Sequence, residues 1–190
     1  IGNLNGPSVI DDRVGSLALV GCGAYDESTR ASYRRAMHDR LGAIEASRFR
    51  ELTRTRDRVS DPVERSRVFE ELGRLAGRAQ SWDQVAADDA LLPADPLGYR
   101  QTWLDALRLQ EEGIEPNRFA AIQAPALMLH GENDPHPGPA TRDLLRRFMP
   151  QLEYVGFERC GHQPWSERYA REPFLGAIRQ WLGTHAAVSR

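Results

Sequence analysis

Three short apolar runs bounded by turn residues stand out along the chain: Ser16 to Gly21 (SLALVG), Ala126 to His130 (ALMLH) and Leu152 to Phe157 (LEYVGF). Runs this brief and this apolar predict strands of a parallel sheet buried on both faces. Between the last two runs, TRDLLRRFMP predicts a helix with Thr141 as N-cap, Leu144, Leu145 and Phe148 on one face, and Pro150 just past the end. Strand, helix, strand in that order is the unit of a right-handed parallel crossover. Beyond the third strand, PFLGAIRQWL puts Phe174, Leu175, Ile178, Trp181 and Leu182 on one apolar helix face, and Pro173 suits its first turn. This segment predicts a closing helix with Trp181 in the core.

Between the first and second runs the character changes: strand-like stretches vanish, and Arg, Glu and Ala dominate. Asp61-Pro62-Val63-Glu64 reads as a helix start, with an N-cap, Pro at the first position and an acid completing a capping box. Phe69, Leu72 and Leu75 or Ala76 then form its buried stripe. A further helix is predicted from about Leu97 to Glu112, where Tyr99, Trp103, Leu104 and Leu107 share a face and Gly113 supplies the stop. Helices over Ser28 to Leu41 and Ala43 to Thr53 complete the stretch. The expected class is α/β: a partial parallel sheet of three recognisable strands interrupted by an all-helical insertion. The boundaries fall at 1–25 for the first core segment, 26–118 for the insertion and 119–190 for the C-terminal core segment.

Composition narrows the partners. With 41% hydrophobic and 27% charged residues over 190 positions the chain is globular in type, and a net charge of −2 argues against nucleic acid or an anionic membrane surface. All 25 basic residues are Arg, which excludes a lysine nucleophile or Schiff base. Two cysteines, Cys22 and Cys160, are too few for a disulfide framework; they read as buried thiols in a reducing compartment, although both stand beside strand ends where they would be able to approach one another. No apolar run approaches the ~20 residues that span a bilayer, and no basic stretch followed by an apolar one marks a signal peptide. The expected location is the cytoplasm.

The candidate chemistry lies in two loops, HGENDPHPG at 130–138 and ERCGHQPWSER at 158–168, each directly after an apolar run. Loops at the carboxyl ends of parallel strands are where an open α/β sheet places reactive groups. An imidazole works as a general base when a carboxylate fixes its tautomer and stabilises the imidazolium. His162 and Asp134 supply that pair, and the segment between them accommodates one helix and one strand, which returns both loops to the same end of the sheet. His130 and His136 flank the acid, but a metal site needs three or four convergent ligands, so both read as loop residues near the mouth of the site and no metal is expected. Glu167 reads as structural, pairing with an Arg or bonding loop backbone. Trp165 either walls a pocket or packs its loop; Tyr99 and Trp103 either face a pocket from the insertion or belong to its core.

Taken together, APALMLHG at 124–131, Asp134 three residues after Gly131, CGHQPW at 160–165, Glu167 and the closing amphipathic helix resemble the C-terminal portion of the α/β-hydrolase superfamily. The resemblance implies that Asp134 is the triad acid and His162 the base, with Asp26 at a position some relatives use for the acid instead. It implies that the insertion is a cap that shapes the choice of a small-molecule substrate, an ester or amide cleaved by Ser-His-Asp chemistry without a cofactor. The family's nucleophile elbow, G-x-S-x-G, has no match. Gly2-Asn3-Leu4-Asn5-Gly6 lacks the Ser, and Gly6-Pro7-Ser8-Val9-Ile10 lacks the second Gly. Ser8 also stands too close to Ser16 for the helix of about three turns that would separate elbow from strand. The N-terminus therefore reads as the remainder of an elbow region, and the missing strands are expected from the same or another chain. An Asp-nucleophile dehalogenase or epoxide hydrolase and a non-catalytic binding domain are the alternative readings.

Overall fold

The three apolar runs are the strands of the computed structural model, which describes residues 14–56, 58–85 and 95–185. They are β1 (Leu17–Val20), β2 (Ala126–Gly131) and β3 (Leu152–Phe157), all parallel in the order β1-β2-β3. Leu17 stands opposite Ala126, and Ala126 opposite Leu152. The central strand β2 is buried along its whole length, which is why it reads as an unbroken apolar run. Its side chains alternate between two cores. Ala126 and Met128 pack with Ile122, Leu145, Met149 and Leu152 on one face. Leu127 and Leu129 pack with Phe157, Phe174 and Trp181 on the other. Helix α4 (Gly138–Leu145) covers the first face and helix α5 (Arg171–His185) the second. Each large apolar side chain buried this way contributes roughly 1.5–3 kcal/mol.

Between β1 and β2 lie α1 (Glu27–Arg56), α2 (Pro62–Gln80) and α3 (Pro96–Glu111). Gly42 breaks α1 with non-helical dihedrals (φ 69, ψ 171), so its two halves correspond to the two helices expected on either side of that glycine. Asp61 caps α2, its carboxylate accepting from the Glu64 amide at 2.8 Å. α1 and α2 share a core of their own, Met37, Leu41, Ala46 and Leu52 against Val68, Leu72, Leu75 and Ala79. Val68 and Ala79 extend the expected stripe, whereas Phe69 is only half-buried. The fold is thus of the α/β class, with a small three-stranded parallel sheet and, among the described residues, five α-helices. No helix of the described residues is long and apolar enough to cross a membrane.

Four expectations are corrected. Thr141 is not an N-cap: α4 begins at Gly138 with Pro139 in its first turn, and Thr141 is buried inside the helix. The ring-fixed φ of proline is pre-organised for a first turn, so the helix starts earlier than the capping signal suggested. Leu182, expected on the apolar face of α5, is 53% exposed. α3 ends at a left-handed Gly113 as expected, yet it buries no residue: Leu97, Tyr99, Trp103 and Leu104 are all exposed. Its described contacts include Tyr99 on Phe69 with the Arg56 guanidinium over its ring, and Gln110 bonded to Arg30 and to the Ala24 carbonyl. β1 and β3, finally, are only partly covered, because among the described residues each lies at a sheet edge with a partner on one side.

Candidate functional site

The turn after β2 and the loop after β3 meet at one end of the sheet, as the parallel crossover requires. His162 Nδ1 lies 2.8 Å from Asp134 Oδ2. The Asp134 side chain is fully buried while the His162 ring keeps about a quarter of its surface exposed (26%). Burial alone would raise the Asp134 pKa, but hydrogen bonds from His136 and His162 outweigh it and hold the carboxyl well below its ordinary range. A carboxylate accepts only, so the His162 proton sits on Nδ1 and the Nε2 lone pair is left to accept. That is the tautomer of a general base.

Local chain geometry fixes both partners. Asp134 stands in a tight turn whose amide donates to the Gly131 carbonyl at 3.0 Å. The loop bearing His162 is tied to the C-terminus of α2, where the His162 amide donates to the Gln80 carbonyl at 2.7 Å. Any side chain on Gly161 would collide with that carbonyl, so only glycine lets the loop approach α2 this closely. On the other side Gly21, directly after β1, takes a left-handed φ of 58°; a Cβ there would lie 2.8 Å from the His162 carbonyl oxygen and 3.1 Å from its ring. Glu167, buried to 1% exposure, braces the arrangement from below. Its Oε1 accepts from the amides of Trp82 (2.9 Å) and Gly161 (3.1 Å), and its Oε2 from that of Asp83 (2.7 Å). Of the two structural roles expected for Glu167, backbone bonding is the one it takes.

The other histidines differ from expectation. His130 is not at a loop mouth: it belongs to β2 and is wholly buried, with Nε2 3.1 Å from the His136 carbonyl and 3.3 Å from Asp134 Oδ2. Burial pushes its pKa down, which keeps it neutral. His136 is an integral part of the cluster. Its Nδ1 and its amide each lie 2.9 Å from Asp134 Oδ1, and its ring stacks on Tyr33 of α1 (centroids 4.2 Å apart, 18° between planes) and tilts against His162 at 4.8 Å. One ligand-type atom from each of Asp134, His136 and His162 lies within 4.8 Å of the others. Both carboxylate oxygens are nevertheless taken by N–H donors, so the cluster is organised as a hydrogen-bond network.

The remaining positions are dispersed. Trp165 is 47% exposed, its ring 6.1 Å from Phe174 on α5, so it packs the loop onto the closing helix. Tyr99 meets Phe69 edge-on at 5.2 Å under the Arg56 guanidinium, and Trp103 is 42% exposed on α3. Asp26 caps α1, accepting from the amide and hydroxyl of Thr29, both at 2.7 Å; it is Asp134 that reaches His162. Cys22 and Cys160 are buried free thiols, and burial pushes their pKa values up to about 11 and about 12. Gly2 to Gly6 and Ser8 lie outside the described residues.

Local sequence carried one overlooked signal. An Asp whose carboxylate takes the amide two residues on is a common turn device, and Asp134-Pro135-His136 has that form. Tyr33, Gln80 and Gly21 carry no such mark, because their place at the site arises only when the insertion folds back. No protein-family model and no curated protein matches the chain.

Proposed function

We propose that this chain carries the base and acid of an α/β-hydrolase-fold enzyme that cleaves a small ester- or amide-type substrate. The observation that carries the reading is the 2.8 Å bond from His162 Nδ1 to the buried Asp134 carboxylate. With Nδ1–H so engaged, Nε2 accepts the proton of a serine hydroxyl as its Oγ attacks the acyl carbonyl. The imidazolium formed is stabilised by Asp134 and returns the proton to the leaving oxygen or nitrogen. Water then loses a proton to the same Nε2 as it attacks the acyl-enzyme, and the serine is regenerated. The nucleophile and the strands that flank β1 come from outside the described residues, and the helical insertion serves as the cap over the substrate. The edge of β1 that has no partner strand among the described residues and the docking of α2 against the His162 loop support that arrangement.

The test is labelling of the intact gene product with a fluorophosphonate, which reacts with a serine made nucleophilic by a neighbouring base. Labelling that disappears in His162→Ala and falls steeply in Asp134→Asn is expected. Absence of labelling in the unaltered protein, together with no turnover of acyl esters, overturns the serine reading. It would leave an aspartate nucleophile, detectable as turnover of haloalkanes or epoxides, or a domain that binds without catalysis.

A further inference from the structure

Asp134 hydrogen-bonds two imidazoles, while a third, that of His130, stands 3.3 Å from its Oδ2. Its Oδ2 takes the ring N–H of His162, while its Oδ1 takes the backbone and ring N–H groups of His136. We infer that His136 is a positioning residue: a second imidazole that anchors Asp134, shares its single negative charge with His162, and thereby sets the pH range over which His162 is a free base. The inference rests on the proposed acid–base reading for its catalytic consequence, whereas the sharing is a property of the side chains themselves.

The positioning is geometric. Two bonds at 2.9 Å to Oδ1 and one at 2.8 Å to Oδ2 hold the carboxylate at both oxygens, so Oδ2 is aimed at His162 rather than free to swing. His136 is held in turn by its stack on Tyr33, whose hydroxyl meets Gln80 Nε2 at 3.3 Å. The carbonyl of that same Gln80 receives the His162 amide. Tyr33, His136, Asp134, His162 and Gln80 thus form a closed ring of contacts, and the geometry of the pair depends on both insertion helices being docked.

One buried carboxylate balances one positive charge, and the two imidazole rings are 4.8 Å apart. A proton taken by one ring therefore disfavours protonation of the other. The other groups facing the cluster keep their charge near neutrality. His130 and Tyr154 from the sheet are neutral, as are Tyr33 from α1 and the buried thiols of Cys22 and Cys160, while Arg40 of α1 stays cationic.

The experiment is an NMR titration of the two imidazoles in the intact protein, run beside the pH dependence of fluorophosphonate labelling. In the unaltered protein the pair is expected to titrate in two steps about one pH unit or more apart. His136→Phe keeps a ring against Tyr33 but loses the ring donor. Asp134 then stabilises the His162 imidazolium alone, the His162 midpoint and the acid limb of labelling move to higher pH, and the rate at neutral pH falls roughly ten-fold or more. His136→Asn retains an N–H donor and cannot titrate, so it restores the rate to within about three-fold and leaves His162 with a single step. Independent titration of the two rings in the unaltered protein, or an unmoved His162 midpoint and rate profile in His136→Phe, would overturn the inference. If the rings are coupled but the unaltered protein is never labelled, the serine-hydrolase reading fails and the shared carboxylate stands.

Discussion

Glu167→Gln isolates the brace beneath the His162 loop with a change of one atom. The native carboxylate accepts three backbone N–H groups, and its two oxygens divide them: Oε1 serves Trp82 and Gly161, and Oε2 serves Asp83. The glutamine amide keeps two of these bonds when its oxygen takes the Oε1 position, but its NH2 group then points at the Asp83 N–H, donor against donor. A hydrogen bond to a charged acceptor is worth about 1.5–3 kcal/mol, and a buried donor left unsatisfied costs about 1–3 kcal/mol. These figures overlap, and the two remaining bonds lose their charge assistance, so the variant should lose roughly 2–4 kcal/mol against a domain stability of order 5–15 kcal/mol. The assay is urea unfolding followed by tryptophan fluorescence, with amide hydrogen exchange read at residues 82, 83 and 161. Protection at Asp83 should fall most. A variant within about 0.5 kcal/mol of the unaltered protein, with protection unchanged at all three amides, would refute the account of Glu167 as the tie between α2 and the His162 loop.

Three further outcomes follow from the same geometry. The folded Asp134 carboxyl lies well below its ordinary value, so its contribution to stability is complete above the unfolded value near pH 3.9 and is lost as pH falls through the folded one. Unfolding free energy measured from pH 6 to pH 2 should show that acid decline, and Asp134→Asn should flatten it. Gly21→Ala forces a left-handed residue at about 1–2 kcal/mol and drives a methyl against His162, for a total of roughly 2–4 kcal/mol and a displaced imidazole. Gly23→Ala, where an added Cβ meets nothing within 4 Å, is the near-neutral control in the same unfolding assay. Cys22 and Cys160 should resist a disulfide reagent at pH 8 in the folded protein and both react in denaturant, since burial keeps them as thiols; fast native reaction would contradict that.

What the chain determines by itself is local and periodic. Short, largely apolar runs declare β1, β2 and β3; the 3.6-residue spacing of Phe174, Ile178 and Trp181 declares α5; and Asp61-Pro62 and Gly113 mark helix ends through backbone chemistry confined to a few residues. The meeting of Asp134 with His162 was legible for a related reason, since a parallel crossover must bring two successive strand ends to the same side of the sheet. Tertiary structure decided the rest. It made Tyr33 the stacking partner of His136, Gln80 the anchor of the His162 loop, and Glu167 the acceptor of the distant Trp82 and Asp83 amides. It also left the aromatic face of α3 exposed, because an amphipathic pattern specifies a face but not what covers it. Contacts between segments far apart in the chain depend on how the insertion folds back onto the sheet, and no periodicity in the residues themselves encodes that approach.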